Sequence, residues 1–116
     1  MSAPMHSDKL REGLQALRDG FLERVTARCL AIEGILADLD ESDEGYVAEA
    51  DREAIQQHAH KTAGVAATFG FSVLGEKALA VEQLMSRADG TLPWSVARPE
   101  IEALLDEMED ALDEFS

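Results

Sequence analysis

The chain has 116 residues, the size of one domain, and 46% of them are apolar, enough for one hydrophobic core. Its 24 Asp and Glu against 10 Lys and Arg give a formal net charge of −14. That charge opposes contact with nucleic-acid phosphates or anionic membrane surfaces, and no basic cluster overrides it. Aromatics make up only 5%, and Ala and Leu dominate the apolar set, which favours close-packed helices over a β-sandwich.

Residues 1–7 read as a disordered lead without the apolar core of a secretion signal, and residues 8–116 as a single helical domain. Ser7 and Asp8 are candidate caps for a first helix, in which Leu10, Leu14, Leu17, Phe21, Val25 and Cys29 recur every three or four positions. Gly20, inside this run, predicts a bend or break. Cys29 is the only cysteine, so no internal disulfide forms, and its place in the apolar pattern marks it as a small buried thiol. After Ile32, Ile35 and Leu36 the pattern stops in the acidic stretch from Asp38 to Glu44, read as a solvated connection. No apolar run approaches the roughly 20 residues that span a bilayer, so a cytoplasmic location is expected.

A second helix is predicted from Val47 to Thr68, closed by Phe69, Gly70 and Phe71. Ser72 can cap a third, carried by Leu74, Ala78, Val81 and Met85 and ending near Asp89 and Gly90. Pro93 and Pro99 mark an irregular start to a last helix bearing Ile101, Leu104, Leu105, Met108, Leu112 and Phe115. Four helices on short connections form an antiparallel four-helix bundle, an all-α fold.

The second helix holds two of the three histidines; the other, His6, lies in the lead. At about 100° per residue, Ile55, Ala59, Thr62, Ala66 and Phe69 fall on one core-facing stripe. His58 lands on the flank of that stripe and reads as a packing residue. His60 lands at roughly 140° from Ile55, pointing away from the core. Its helical neighbours are Gln56, Gln57, Ala63 and Gly64, with Ala67 two turns on. Glycine inside a helix costs about 0.5–1 kcal/mol relative to Ala. Gly64 either permits close helix packing or leaves room for another protein to approach His60, and its position opposite the core favours the second. A neutral imidazole is nucleophilic near neutral pH, because the ordinary histidine pKa is about 6.5. Phosphoryl transfer asks chiefly for positioning and charge neutralisation, so an exposed histidine on a rigid helix meets its minimal requirement.

The stretch Ala59-His60-Lys61-Thr62-Ala63-Gly64-Val65-Ala66-Ala67-Thr68-Phe69-Gly70-Phe71, followed by Ser72-Val73-Leu74-Gly75 to Ala80-Val81-Glu82, resembles the histidine-containing phosphotransfer (HPt) family. The signature is a histidine with glycines four and ten residues on, closed by Thr-Phe-Gly-Phe. The resemblance implies a phosphorelay intermediate of two-component signal transduction. Such an intermediate is expected to have no autonomous catalytic activity and no cofactor of its own. His60 would take a phosphoryl group from a receiver aspartate or a sensor histidine kinase and pass it to a response-regulator receiver, which supplies Mg2+. It also implies that Glu82 orients the imidazole, a role weighed against that of an ordinary solvated charge. Gln56, Gln57, Ala63, Gly64 and Ala67 are the candidate receiver-docking patch.

One position departs from the pattern. Many family members carry a lysine three residues after the histidine, where this chain has Ala63. Lys61 and Lys77 are the candidate substitutes for neutralising a phosphoryl group. The departure keeps open a second reading, a helical interaction module that binds a receiver or kinase through the same face without being phosphorylated. A metal site at His58 and His60 is disfavoured, since residues two apart on a helix diverge by about 200° whereas helical metal pairs are spaced i, i+4. No nucleophile with a base and orienter, and no phosphate-cradling loop, suggests an independent enzyme. A monomer is expected.

Overall fold

The computed structural model describes residues 3–39, 45–87 and 91–114, with side chains from residue 8 onward, Arg87 excepted. Among them are four α-helices and no strand: α1 (Ala3–Ala37), α2 (Glu49–Ala66), α3 (Ser72–Arg87) and α4 (Trp94–Asp113), with a 3-10 turn at Ala67–Phe69 extending α2. α2 packs most extensively on α3, α3 on α4, and α1 closes the bundle against α4 and α2. The fold is the expected all-α four-helix bundle.

One stripe from each helix makes the core. Phe21, Val25, Cys29 and Ile32 come from α1, Ile55, Ala59, Thr62 and Ala66 from α2. α3 supplies Leu74, Ala78, Val81 and Met85, and α4 supplies Trp94, Ala97, Ile101, Leu104, Leu105, Met108 and Ala111. Spacings of three and four put these residues on one face of each helix, and burying that face supplies most of the helices' stability. Leu112 is partly buried, and Phe115 lies outside the described residues.

The α2–α3 corner is built around Gly70, whose φ of +87° lies in the left-handed region that glycine enters without penalty. There Gly70 N donates to Ala67 O at 3.1 Å and Phe71 N to Ala66 O at 3.0 Å, satisfying carbonyls the ending helix leaves open. The turn sets Phe69 and Phe71 on the ring of the fully buried Phe21, with centroids 5.1 and 6.0 Å away. At the other end, Val47 N donates to Leu92 O and Trp94 N to Gly45 O, tying the segments that precede α2 and α4.

Four expectations are corrected. α1 begins at Ala3, inside the stretch read as a disordered lead, so Ser7 and Asp8 sit within a helix instead of capping it. Pro4, near its start, occupies the first turn, where a missing N–H does no harm. α1 also runs unbroken through Gly20. The third correction concerns the apolar pattern of α1: Leu10, Leu14 and Leu17 share the spacing of the buried Phe21, Val25 and Cys29 but are 65%, 53% and 60% exposed. At about 1.5 Å per residue, 35-residue α1 is longer than helices of 16–20 residues, and Leu14 and Leu17 line an open recess with Thr68 and Phe69 rather than packing in the core. The fourth is Pro99, which lies inside α4 rather than before it. It and Ser95, whose carbonyl loses the helical donor, are exposed, so water can take the vacant bond. Asp40 to Glu44, from the acidic connection, and Asp89 and Gly90 lie outside the described residues.

Candidate functional site

α2 turns its core stripe inward and thereby fixes where its other side chains go. Ala59 is fully buried, His58 is half-buried, and the His60 side chain is 70% exposed. Burial pushes the His58 pKa below its usual value, with the positive charges of Arg28 and Lys61 adding to the effect. His58 is therefore a neutral packing residue at neutral pH. The pair diverges as helix geometry requires, and the two rings face different surroundings.

The ring of His60 is held by the neighbouring helix. Its Nδ1 lies 2.8 Å from Oε1 of Glu82 on α3, whose side chain is 22% exposed. A carboxylate only accepts hydrogen bonds, so Nδ1 carries the proton and donates. In a neutral ring that leaves Nε2 with its lone pair. Glu82 therefore fixes both the orientation of the imidazole and its tautomer.

Two open recesses flank this pair. One, of about 600 Å³, lies between α2 and α3 and is lined by His60, Ala63, Gly64, Ala67, Ser72, Gly75, Glu76, Leu79 and Glu82. Its floor is small and apolar, and a Cβ at Gly75 would sit in ordinary contact, 3.6 Å from Ala66 Cβ and 4.0 Å from Ala63 O. Gly64 differs, since a Cβ there would meet nothing within 4 Å. It is exposed, and close packing of its own bundle is not the reason for a glycine. The second recess is polar and is lined by Glu53, Gln56, Gln57, His60, Lys61 and Glu82.

The structure thus gathers His60, Glu82, Gln56, Gln57, Ala63, Gly64, Ala67 and Lys61 around one spot. Lys77 is exposed on α3 but lines neither recess, and no Lys or Arg is among the described residues of the apolar one. Sequence reasoning missed the α3 wall. Its signal was present all the same, for Ser72, Gly75, Glu76, Leu79 and Glu82 follow helical spacing along one face and include an exposed leucine.

Away from this site, ligand-type side chains of Cys29, Glu33 and Glu109 converge to within 4.8 Å. Cys29 Sγ donates to Glu33 Oε1 at 3.4 Å. Burial, with Glu33 beside it, pushes the Cys29 thiol up to about 12, and a hydrogen bond to Glu33 raises the Glu109 carboxyl above its usual range. The Cys29 thiol therefore keeps its proton at neutral pH, and the cluster reads as a contact between α1 and α4.

The family model described as "Hpt domain" matches residues 16–114. No curated protein and no solved structure matches the chain. No helix among the described residues is long and apolar enough to cross a membrane.

Proposed function

Because this chain belongs to the Hpt domain family, we propose that His60 is its phosphoryl carrier, with Nε2 as the accepting atom. The family makes the chain a phosphotransfer module of two-component signalling, whose partners are kinases and receivers. The observation that supports His60 as the working residue is its hydrogen bond to Glu82 in an open recess.

The step follows from that bond. The Nε2 lone pair attacks the phosphorus of a receiver's acyl phosphate, or of a phosphohistidine on a kinase. The P–O or P–N bond to the donor breaks, and the aspartate leaves as a carboxylate or the donor histidine as an imidazole. The Nδ1 proton stays in place, so the phosphorylated ring carries a positive charge directly against the Glu82 carboxylate. Glu82 stabilises that charge as it develops, the role an acidic residue plays behind other nucleophilic or basic histidines. The outgoing transfer to a second receiver is the same step reversed.

Ala63, Gly64, Ala67 and the α3 wall admit the receiver closely enough for in-line transfer. Mg2+ comes with the receiver, and Lys61, which lines the polar recess with His60, is the candidate cation among the described residues. Lys77 is assigned no part. A cytoplasmic location belongs to the same proposal.

A second reading draws on the absence of Lys and Arg from the described lining of the apolar recess, where Glu76 and Glu82 are the charged residues. On that reading the face binds a receiver or kinase without being phosphorylated. Incubation with a phosphorylated receiver, followed by assay for acid-labile, alkali-stable phosphate, separates the two. Uptake by wild type and none by His60→Gln is the expected result. Tight receiver binding with no uptake by wild type would establish the interaction module instead.

A further inference from the structure

α2 and α3 run antiparallel, and their facing residues form rungs. His60 faces Glu82, and one turn away Gln56 faces Ser86. Gln56 Nε2 donates to Ser86 Oγ at 2.7 Å, and Ser86 Oγ donates to the Glu82 carbonyl at 2.8 Å. Two turns in the other direction, Gly75 seats against Ala66, Ala67 and Ala63. The His60–Glu82 contact lies between the Gly75 contact and a side-chain tie. The buried Ile55 and Ala59 of α2 and Val81 and Met85 of α3 pack in the core on the inner side of the pair. The Gln56–Ser86 tie joins the two helices on the outer side, where His60 and Glu82 also meet.

We infer that Gln56 and Ser86 are positioning residues for His60. With the core setting the separation of the helices, their rung holds α3 at the rotation where the Glu82 carboxylate meets Nδ1. Ser86 is central because its hydroxyl is bonded at once to the helix that carries Glu82 and to the helix that carries His60. Gln56 is four residues before His60 and Ser86 four after Glu82, so each lies on the same face of its helix as the residue it positions. Neither touches the reacting atoms; they act through Glu82. Gln56 was a candidate docking residue in the sequence, and this geometry gives its amide an inward task. Ser86 carries no sequence signal at all.

The consequence for transfer rests on His60 being the carrier; the consequence for the ring does not. In the 15N-labelled full chain, the two ring nitrogens of His60 should show distinct protonated Nδ1 and bare Nε2 shifts when the ring is neutral. In Ser86→Ala and in Gln56→Ala these shifts move toward each other as the second tautomer becomes populated, while the circular-dichroism helicity is unchanged. Ser86→Thr, which keeps the hydroxyl, restores the wild-type shifts. Phosphate uptake falls about 2- to 10-fold in the two alanine variants, the range for one lost hydrogen bond, with receiver affinity unchanged in Ser86→Ala. Ring shifts that stay at wild-type values in both alanine variants would overturn the inference, as would Ser86→Thr behaving like Ser86→Ala. Absence of uptake by wild type would overturn the carrier reading instead and leave the ring shifts to decide this one.

Discussion

Gly64→Gln is expected to lower the transfer rate by about 100-fold or more while leaving the bundle at least as stable as wild type. A Cβ at Gly64 has no atom within 4 Å and the position is exposed, so a side chain can leave the helix there without meeting the bundle. Replacing a helical glycine with a better helix former stabilises by about 0.5–1 kcal/mol. The longer side chain must then occupy space beside His60 that the partner's phosphoaspartate needs. A displacement of about 1 Å between reacting groups is enough for a 100-fold loss. Thermal denaturation and single-turnover transfer from a phosphorylated receiver measure the two effects on the same sample. Gly64→Ala should show the stability gain with a much smaller loss of rate. If Gly64→Gln transferred at the wild-type rate, the patch around Gly64 would not be where the partner docks.

The largest expected loss of stability follows Phe21→Ala. Phe21 is fully buried and carries Phe69 and Phe71 on its ring, so it joins α1 to the corner between α2 and α3. Phe→Ala in a packed core costs about 3–5 kcal/mol, a large share of the roughly 5–15 kcal/mol that holds a domain folded. At about 4 °C per kcal/mol for a chain of this size, the melting temperature should fall by roughly 12–20 °C. A fall of less than about 4 °C would mean that the aromatic cluster relaxes around the cavity and does not lock the corner. Leu14→Ala, on the exposed part of the same helix, is the comparison: a surface change within about 0.5 kcal/mol is expected.

These contrasts mark how far the sequence could be read. Helical spacing alone located the buried stripe of α2 and pointed His60 away from it, because both depend only on the geometry of one helix. The same spacing runs on through Leu10, Leu14 and Leu17, which are exposed. Periodicity tells which face of a helix is apolar, whereas burial depends on what packs against that face. The α3 wall around Leu79 and Gly75 was legible in principle, since those residues share a helical face. The Gln56–Ser86 rung was not. It depends on the register between two helices across 30 residues of chain, which no single-helix pattern encodes.

The pairing of His60 with Glu82 belongs between these cases. Family resemblance suggested the partner, and the 2.8 Å contact supplies what resemblance could not, the nitrogen that stays protonated. That assignment carries the central proposal, because a protonated Nδ1 leaves Nε2 as the atom open to phosphate. Phosphorylating the 15N-labelled chain from a phosphorylated receiver and reading the ring by phosphorus–nitrogen coupling tests it directly. The account predicts phosphorus bonded to Nε2 of His60 with Nδ1 still protonated. Phosphorus on Nδ1, or on a residue other than His60, would contradict it.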